Sequence, residues 1–418
     1  SLPSAAMTCW TRSVRWTPSV NLSLSIGIGR GAKTLREAQD MAVQALDMAQ
    51  GRGGDQAAEM MPDGFTFYGG VSHGVEKRSK VRSRIVADQL VKLIKEADHV
   101  VIMGHRMSDL DAIGAAEGVL RICKICDVPA VIAVKRDATL AGSLIDALCR
   151  AGQKDDFIDP KDALPIISKR TLCIVVDTYQ VGLVESKEIL EKCGKVAVID
   201  HHRKGVGYIQ NPDLVCHEPY SSSASELVTE LLQYVGDRDD KPNRVEAEGL
   251  LSGILLDTQD FTLHTGVRTF EAAAALRRYG AETERVRQLF DVTMVEYAAK
   301  AELVERARMY RNCAISVGGE IAPEARVAIA QAANDLLRIQ GVDASFVAVQ
   351  VGTGVNISAR SLGAVNVQVI MEALGGGGHQ TMAAAQLKHI TPEAARSRIE
   401  TAIDNYWASQ KKSGAEEK

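Results

Sequence analysis

The sequence predicts an α/β fold in which a parallel-sheet domain is joined by a helical linker to a smaller α/β domain. Between residues 84 and 265, short apolar runs alternate with helical stretches, which is typical of βαβ units around a parallel sheet. Aspartates and histidines follow several of these runs, as expected where strands end at one edge of a sheet. A second strand and helix pattern occupies residues 313–410 and contains a run of four glycines.

Length and composition set broad limits on the protein. The chain has 418 residues, enough for two to four domains of about 100–200 residues each. Hydrophobic residues make up 46% and charged residues 24%, which is ordinary for a folded protein with buried cores. The net charge of −4 argues against a broad basic surface, so we expect no long nucleic acid as a partner. No apolar stretch reaches the ~20 residues that a membrane span needs, and the start lacks a signal-peptide pattern.

The N-terminal part is predicted to be a fragment of a domain. Residues 1–20 show no clear pattern, and residues 20–58 predict one strand followed by an Ala-rich amphipathic helix. One strand and one helix cannot enclose a core, so we interpret residues 1–59 as the end of a domain whose beginning is missing. Residues 60–83 are Gly-rich and then basic, which predicts a linker that runs into a helix.

The predicted parallel-sheet domain covers residues 84–265. Its four strands are predicted at 99–103, 129–134, 171–176 and 195–199. A capping box formed by Ser223 and Glu226 predicts the start of a later helix.

Residues 266–312 are predicted to be a wholly helical linker, followed by the smaller domain at 313–410. The smaller domain is predicted to contain strands near 326–331, 345–351, 355–359 and 382–387, a helix near 366–374 and a last helix. Residues 411–418 are predicted to be a frayed polar tail.

Four short segments are predicted to place histidine and aspartate side chains at strand ends. They are Gly104–Asp111, Val175–Thr178, Ile199–His202 and Leu255–Thr258. The candidate metal ligands in them are His105, Asp109, Asp111, Asp177, His201 and Asp257. Carboxylate and imidazole together suit Mn²⁺ or a similar first-row ion better than Ca²⁺. Two such cations roughly 3.5–4 Å apart can support an in-line displacement at phosphorus.

Each candidate ligand taken singly has an ordinary structural alternative, because an Asp after a strand is more often a helix N-cap than a ligand. Packing alone, however, does not call for four titratable segments at one sheet edge. The joint pattern therefore favours a two-metal catalytic site. We expect His202 either to orient Asp200 or a metal ligand, or to donate a proton to a leaving oxygen. We expect Asp200 to orient a metal ligand without binding the cation itself.

The glycine run Gly375–Gly378, followed by His379, predicts an anion-binding backbone cradle. The alternative is a flexible loop without a ligand. The preceding Ser358 and Arg360 favour binding, since they could hold a second phosphate or a base. The predicted substrate-binding residues are Ser358, Arg360, Gly376, Gly377, Gly378 and His379.

Together these motifs resemble the DHH phosphoesterase superfamily. The residues that match this superfamily are His105-x-x-x-Asp109-x-Asp111, the lone Asp177, Asp200-His201-His202 and Asp257. The glycine run with His379 resembles the substrate-binding domain that accompanies it. The resemblance implies two Mn²⁺ per chain, one held by His105, Asp109 and Asp177. It assigns the other to Asp111, Asp177, His201 and Asp257, so that Asp177 bridges the two and is catalytic together with Asp200 and His202.

The segment Ala45–Gln56 resembles the end of a degenerate GGDEF domain, which occurs in the GdpP type of membrane-anchored cyclic di-AMP phosphodiesterase. The chain thus looks like an N-terminally truncated member, with its catalytic domains expected in the cytoplasm and no transmembrane segment of its own. The implied reaction is hydrolysis of cyclic di-AMP to linear 5′-pApA, with a cyclic dinucleotide as the partner. The sequence leaves the oligomeric state open, including a homodimer.

Three alternative functions are less well supported by the sequence. A nanoRNase or pAp phosphatase would use the same metal chemistry on short linear nucleotides, but the GGDEF-like segment argues against it. A RecJ-type exonuclease is disfavoured by the acidic chain, which lacks an added domain for single-stranded DNA. A scaffold that binds nucleotide without hydrolysis would not need six intact ligands, and its metal content would reveal it.

Overall fold

The structure is a computed structural model that divides into two compact units, residues 1–290 and 291–418. It describes residues 24–51, 56–62, 64–69, 80–202, 207–320, 327–378 and 381–415. His379 therefore lies outside the described residues, as do residues 20–23 at the start of the segment predicted to be a strand.

The N-terminal segment forms a small sheet with one helix packed on it. Its elements are β1 (Ile26–Gly29), α1 (Leu35–Gly51), β2 (Gln56–Met61) and β3 (Gly64–Gly69). β1 is parallel to β2, and β2 is antiparallel to β3. The linker prediction for residues 60–83 was wrong for β3, because Phe65 and Phe67 alternate along it and pack against the small core of Ala45, Ala49 and Ala58. The high glycine content obscured this alternation in the sequence.

The central sheet of the first unit is wholly parallel, which confirms the predicted fold class. Its strands are β4 (Val100–Met103), β5 (Ala130–Ala133), β6 (Phe157–Ile158), β7 (Leu172–Val176), β8 (Lys195–Asp200) and β9 (Leu214–His217). Their order is β6-β5-β4-β7-β8-β9. The chain adds β4 to β6 toward one edge and β7 to β9 toward the other, so the switch point lies between the neighbouring strands β4 and β7. Such a switch point opens a crevice outside the carboxyl ends of the strands, where ligands bind. The short edge strands β6 and β9 were missed by the sequence analysis.

Helices cover both faces of this sheet. They are α2 (Lys80–Glu96), α3 (Leu110–Ile125), α4 (Gly142–Leu148), α5 (Pro160–Ala163), α6 (Lys187–Lys192), α7 (Ala224–Leu232), α8 (Arg244–Thr258), α9 (Val267–Arg278) and α10 (Thr283–Gln288). Alternate residues of β4 and β7 enter two separate cores, one on each face. Burial on both faces explains why these strands are continuous apolar runs in the sequence.

The segment 266–312 is not one helical linker. Helices α9 and α10 belong to the first unit, where Leu276 and Val286 are fully buried in its larger core. The second unit begins at Asp291 and includes α11 (Met294–Glu305) and the strand β10 (Arg308–Tyr310).

The second unit is built on a mixed sheet. Its further elements are β11 (Cys313–Glu320), α12 (Val327–Leu336), β12 (Ala344–Val351), β13 (Gly354–Ser361), α13 (Val367–Glu372), β14 (Gly377–Gly378), β15 (Met382–Lys388) and α14 (Pro392–Ala415). The strand order is β10-β11-β12-β13-β15-β14, in which only β11 and β12 are parallel. The strand predicted at 326–331 was wrong: residues 327–331 begin α12, because Ile329, Ala332 and Leu336 recur at helical spacing and are buried in one cluster. The tail predicted from residue 411 is helical as far as Ala415.

A buried polar cluster lies between α3 and α8, behind the sheet. Glu117 is fully buried, and its Oε1 accepts a 2.6 Å hydrogen bond from the side-chain amide of Gln153. The same amide donates to Glu246 at 2.9 Å, and Arg121 forms a bidentate pair with Glu246. Burial and the charge of Glu246 raise the pKa of Glu117 to about 8. Glu117 is therefore uncharged at neutral pH in the folded protein.

We predict that Glu117→Gln stabilises the protein at alkaline pH. The wild-type chain binds one more proton folded than unfolded between the ordinary value of 4.5 and about 8, so its stability falls as pH rises through this window. The glutamine keeps the neutral form at every pH, and we expect a gain of about 1–3 kcal/mol at pH 8.5 that vanishes near pH 4.5. Thermal unfolding from pH 5 to 8.5 measures it, with the exposed Glu188→Gln as control. Identical pH profiles for wild type and Glu117→Gln would refute the assignment.

Candidate metal centre

The carboxyl ends of β4, β7 and β8 bring most of the predicted ligands to one edge of the parallel sheet. His105 lies two residues beyond β4, Asp177 directly follows β7, and His201 directly follows β8. The start of α3 adds Asp109 and Asp111. The ligands of β4 and β7 thus sit on either side of the switch point in strand order.

The first cluster, here called the His105 group, contains His105, Asp109 and Asp177. The Nε2 atom of His105 lies 3.4 Å from Asp177 Oδ2 and 3.8 Å from Asp109 Oδ1. The Nδ1 atom of the same ring lies 2.9 Å from the carbonyl oxygen of Arg106. Because a carbonyl only accepts, Nδ1 carries a hydrogen, so Nε2 is the ring nitrogen that would bind a cation once it has lost its proton.

The second cluster, the His201 group, contains Asp111, Asp177, His201 and Asp257. The Nε2 atom of His201 lies 3.1 Å from Asp257 Oδ2, 3.3 Å from Asp177 Oδ1 and 3.9 Å from Asp111 Oδ2. Asp177 is common to both groups and faces each with a different oxygen. The six side chains named from the sequence are therefore all brought together, in two groups that share one carboxylate.

Two of these aspartates differ from the sequence interpretation. Asp257 does not end a strand, because Leu255 and Leu256 continue α8 and place Asp257 in its last turn. Asp109 is both an N-cap and a member of the His105 group: its Oδ1 accepts hydrogen bonds from the backbone N–H of Asp111 and Ala112 at 3.0 and 3.1 Å. The capping role and the ligand role are thus compatible in one aspartate.

Asp177 has a backbone conformation that few residues adopt. Its φ is +57°, in the left-handed region, while its N–H donates a 2.9 Å hydrogen bond to the carbonyl of Ile199. Asp and Asn tolerate this region better than other non-glycine residues. Strain of this kind concentrates at functional sites, where the surrounding structure enforces it.

The donor set and its electrostatics fit divalent cations. Asp177 Oδ1 and His201 Nε2 are buried without a hydrogen-bond partner. Burial, with the neighbouring Asp177 and Asp257, raises the pKa of Asp111 well above its ordinary value. Burial would lower the pKa of His105, but hydrogen bonds with Asp109 and Asp177 raise it to about 12. Four carboxylates with two imidazoles leave an excess of negative charge that cations offset.

His202 pairs with Asp200, and with Asp177 and His201 it also forms a third group that could hold a metal ion. Asp200 is fully buried, and its Oδ1 accepts hydrogen bonds from the Nδ1 and the backbone N–H of His202 at 2.8 and 3.2 Å. His217, on β9, has its Nε2 2.5 Å from the carbonyl oxygen of His202. The sequence analysis missed His217 because β9 was not predicted; its register opposite Asp200 is the signal that would have revealed it.

The predicted substrate-binding residues lie in the second unit. Arg360 Nη1 donates hydrogen bonds to Ser358 Oγ at 3.1 Å and to the carbonyl of Ala359 at 2.9 Å. Burial lowers the pKa of Arg360 to about 10, and its Nε has no partner. Gly377 and Gly378 are not a flexible loop, since they form β14 and pair with β15. A side chain at Gly376 would meet the carbonyl oxygen of Ala384 at 2.1 Å, so this close approach requires glycine.

Comparison with known families places three domain types along the chain. Residues 99–254 match the DHH family, N-terminal domain, and residues 322–408 match the DHHA1 domain. Residues 10–62 match the cyclic-di-AMP phosphodiesterase GdpP-like GGDEF domain. In the part of the chain that the structure describes, no helix is both long and apolar enough to span a membrane.

Individual relatives agree with these matches. The cyclic-di-AMP phosphodiesterase GdpP of Geobacillus thermodenitrificans is 46% identical over 93% of this chain, and that of Bacillus subtilis is 44% identical over 93%. The cyclic-di-AMP phosphodiesterase PdeA of Listeria monocytogenes is 41% identical over 94%. The chain spans about 60% of the length of each of these relatives.

Among solved structures, an exopolyphosphatase-related protein from Bacteroides fragilis superposes with a TM-score of 0.66 at 20% identity, over 77% of this chain and 96% of that one. At this level of identity the likeness concerns the fold.

We predict that Asp177→Ala is the most damaging single substitution at this site. Asp177 is the carboxylate common to both groups, so its loss should weaken both cation sites, whereas Asp109→Ala and Asp257→Ala should each affect one group first. We expect Asp177→Ala to bind fewer than half of the wild-type metal ions and to lose at least 10³-fold in turnover, the scale of removing a key catalytic group. Metal analysis beside turnover at matched Mn²⁺ tests it. Retention of two ions and a near-normal rate in Asp177→Ala would remove the shared role.

Proposed function

We propose that this chain, whose residues 99–254 match the DHH family, is a metal-dependent phosphodiesterase that hydrolyses cyclic di-AMP to linear 5′-pApA. The observation that carries this proposal is the pair of cation-binding groups that share Asp177 at the switch point of the sheet. Two adjacent cation sites with a common carboxylate are typical of enzymes that act on phosphate esters.

The identity of the substrate is supported by the relatives. The resemblance inferred from the sequence motifs is confirmed, since GGDEF-like, DHH and DHHA1 domains all match. The relatives that are 41–46% identical carry the name cyclic-di-AMP phosphodiesterase. We extend this activity to the present chain, with two Mn²⁺ as the proposed cofactors because imidazole and carboxylate ligands are mixed in both groups.

The roles of the residues follow from their placement. The His105 group would hold one cation and the His201 group the other. When bound, the cations would supply Lewis acidity toward the phosphate and lower the pKa of a water that attacks phosphorus. Asp177, facing both groups, would keep the two sites close together. The carboxylate of Asp200 accepts a hydrogen bond from Nδ1 of His202 and orients its ring, and His202 would deliver a proton to the departing 3′ oxygen.

The second unit would bind the nucleotide rather than the metals. Arg360 is half-buried, its Nε atom is buried without a partner, and within the described residues no carboxylate lies within ion-pair distance of it. A partly buried guanidinium without an acidic partner is costly, and a phosphate of the substrate would supply the missing charge. We propose Ser358, Arg360, Gly376, Gly377, Gly378 and His379 as the substrate-binding residues.

A second candidate function is the cleavage of short linear nucleotides. The bifunctional oligoribonuclease and PAP phosphatase NrnA of Thermus thermophilus is 26% identical over 78% of this chain and 95% of that protein. The GdpP-like GGDEF segment favours the cyclic substrate. The two functions differ in which substrate is turned over fastest.

We predict that the purified chain with Mn²⁺ converts cyclic di-AMP to 5′-pApA faster than it hydrolyses cyclic di-GMP, pApA or pAp. Chromatography of the products over time with each substrate at the same concentration measures the ranking. The Asp177→Ala variant serves as the inactive control for contaminating nucleases. A higher rate on pApA or pAp than on cyclic di-AMP would favour the linear-nucleotide function instead.

We predict that Arg360→Met raises KM for cyclic di-AMP at least tenfold while the metal content stays at the wild-type level. Methionine keeps much of the buried aliphatic volume but removes the charge that would pair with phosphate. Arg338→Met, at an exposed position of the same unit, is the matched control and should leave KM unchanged. A loss of metal in Arg360→Met would contradict the division of roles between the two units.

A further inference from the structure

The first turn of α7 donates hydrogen bonds to both carboxylate oxygens of Asp111. Oδ2 accepts a 2.7 Å hydrogen bond from the backbone N–H of Ala224, and Oδ1 accepts a 2.8 Å hydrogen bond from that of Ser225. The hydroxyl of Ser225 donates to the backbone carbonyl of Asp111 at 3.2 Å. Asp111 is fully buried, so these contacts define both the position and the rotation of its carboxylate.

The N-terminus of α7 is also electrostatically suited to this carboxylate. Ser223 caps the helix by accepting a hydrogen bond from Glu226 N–H, which leaves the N–H groups of Ala224 and Ser225 for Asp111. The positive end of the helix dipole favours the ionised form, which a cation ligand must be. A carboxylate has about four lone-pair sites, and two hydrogen bonds leave the others for a cation.

Gly253 of α8 also lies close to Asp111 and to Ser225. A Cβ atom at this position would lie 2.6 Å from Asp111 Oδ1, 2.8 Å from Asp111 Cα and 2.3 Å from Ser225 Oγ. Two of these neighbours cannot move away, because they are a backbone atom and a carboxylate already fixed by two hydrogen bonds. Asp257 lies four residues further along α8, on the same helix face as Gly253. The close approach at Gly253 therefore sets how Asp257 and Asp111 stand relative to each other.

The contact between α3 and α8 is also close at a second glycine. A Cβ atom at Gly114 of α3 would lie 2.5 Å from the carbonyl oxygen of Gly249 on α8. The backbone of α3 at Gly114 therefore lies directly against the backbone of α8 at Gly249. Gly249 itself is less restricted, because a Cβ there would meet only the flexible end of Leu144, at 3.1 Å.

We propose that Gly253 and the first-turn N–H groups of α7 are positioning groups that set Asp111 for the cation of the His201 group. The proposal rests on the proposed two-cation function, and it adds residues that contact neither substrate nor cation. Displacing Asp111 should weaken one cation site selectively. The His105 group, which does not include Asp111, should keep its ion.

The most direct test is Ala224→Pro. Ala224 is the first residue of α7, a position where proline is well accepted in helices, and the extended backbone of Ser223 is compatible with a following proline. The substitution removes the N–H that Asp111 Oδ2 accepts and leaves the helix in place. Val267→Pro, at the first position of α9 in the same unit, is the matched control.

Binding of Mn²⁺ alone is measured by calorimetry on the metal-free full chain, and low-temperature EPR of the loaded chain distinguishes a coupled Mn²⁺ pair from a single ion. We expect Ala224→Pro to bind one Mn²⁺ as the wild type does and the second at least tenfold more weakly, with the coupled signal replaced by a six-line spectrum. Val267→Pro should bind both. Normal binding of two ions by Ala224→Pro, or an equal loss in Val267→Pro, would overturn the proposal.

A second test compares the binding of Mn²⁺ by Gly253→Ala with that by Gly249→Ala. We expect Gly253→Ala to lose one ion selectively and Gly249→Ala to bind two ions. Equal metal binding by the two variants also overturns the proposal. Should Gly253→Ala not fold, the Ala224→Pro comparison decides alone. The readout needs no nucleotide, so a wild-type chain that binds two Mn²⁺ but leaves cyclic di-AMP intact would refute the proposed function without affecting this test.

Discussion

The concentration of buried negative charge at the edge of the parallel sheet is the constraint on which the rest of the first unit depends. Asp111 and Asp177 are almost fully buried, and Asp257 adds a third carboxylate to the same group. Carboxylates this close raise the free energy of the folded state unless donors or cations compensate them. The imidazoles of His105 and His201, the N-terminus of α7 and the proposed cations each offset part of that charge. The candidate metal centre therefore lowers the stability of the fold unless its charge is compensated.

The packing of the core of the first unit also affects the candidate metal centre. Helices α3 and α8 carry one ligand each to the His201 group, Asp111 and Asp257, and they approach closely through facing glycines. A change in their spacing would therefore alter both the larger core of the first unit and the separation of the two carboxylates. Interiors packed at near-crystalline density transmit such shifts instead of absorbing them.

The sequence predicted most of the architecture where strong local patterns exist. The four central strands are continuous apolar runs buried on both faces, and the DHH-like motifs identified all six side chains that the structure brings together. Prediction was wrong where local patterns mislead: Leu255 and Leu256 look like a strand but continue α8, and residues 326–331 belong to a helix. Backbone contributions could not be predicted, because the N–H of Ala224 that holds Asp111 depends on tertiary packing and not on the residue type.

The left-handed backbone at Asp177 narrows the range of residues that this position can accept during evolution. Glycine, asparagine and aspartate are the residues that adopt such a φ with little strain, and aspartate alone among them brings a charge. Asparagine is one nucleotide change away from aspartate in the genetic code. A lineage can therefore lose the shared carboxylate while it keeps the turn, the sheet and the second unit. Descendants of that kind would persist as folded proteins that keep the proposed nucleotide-binding residues and lack the shared metal ligand.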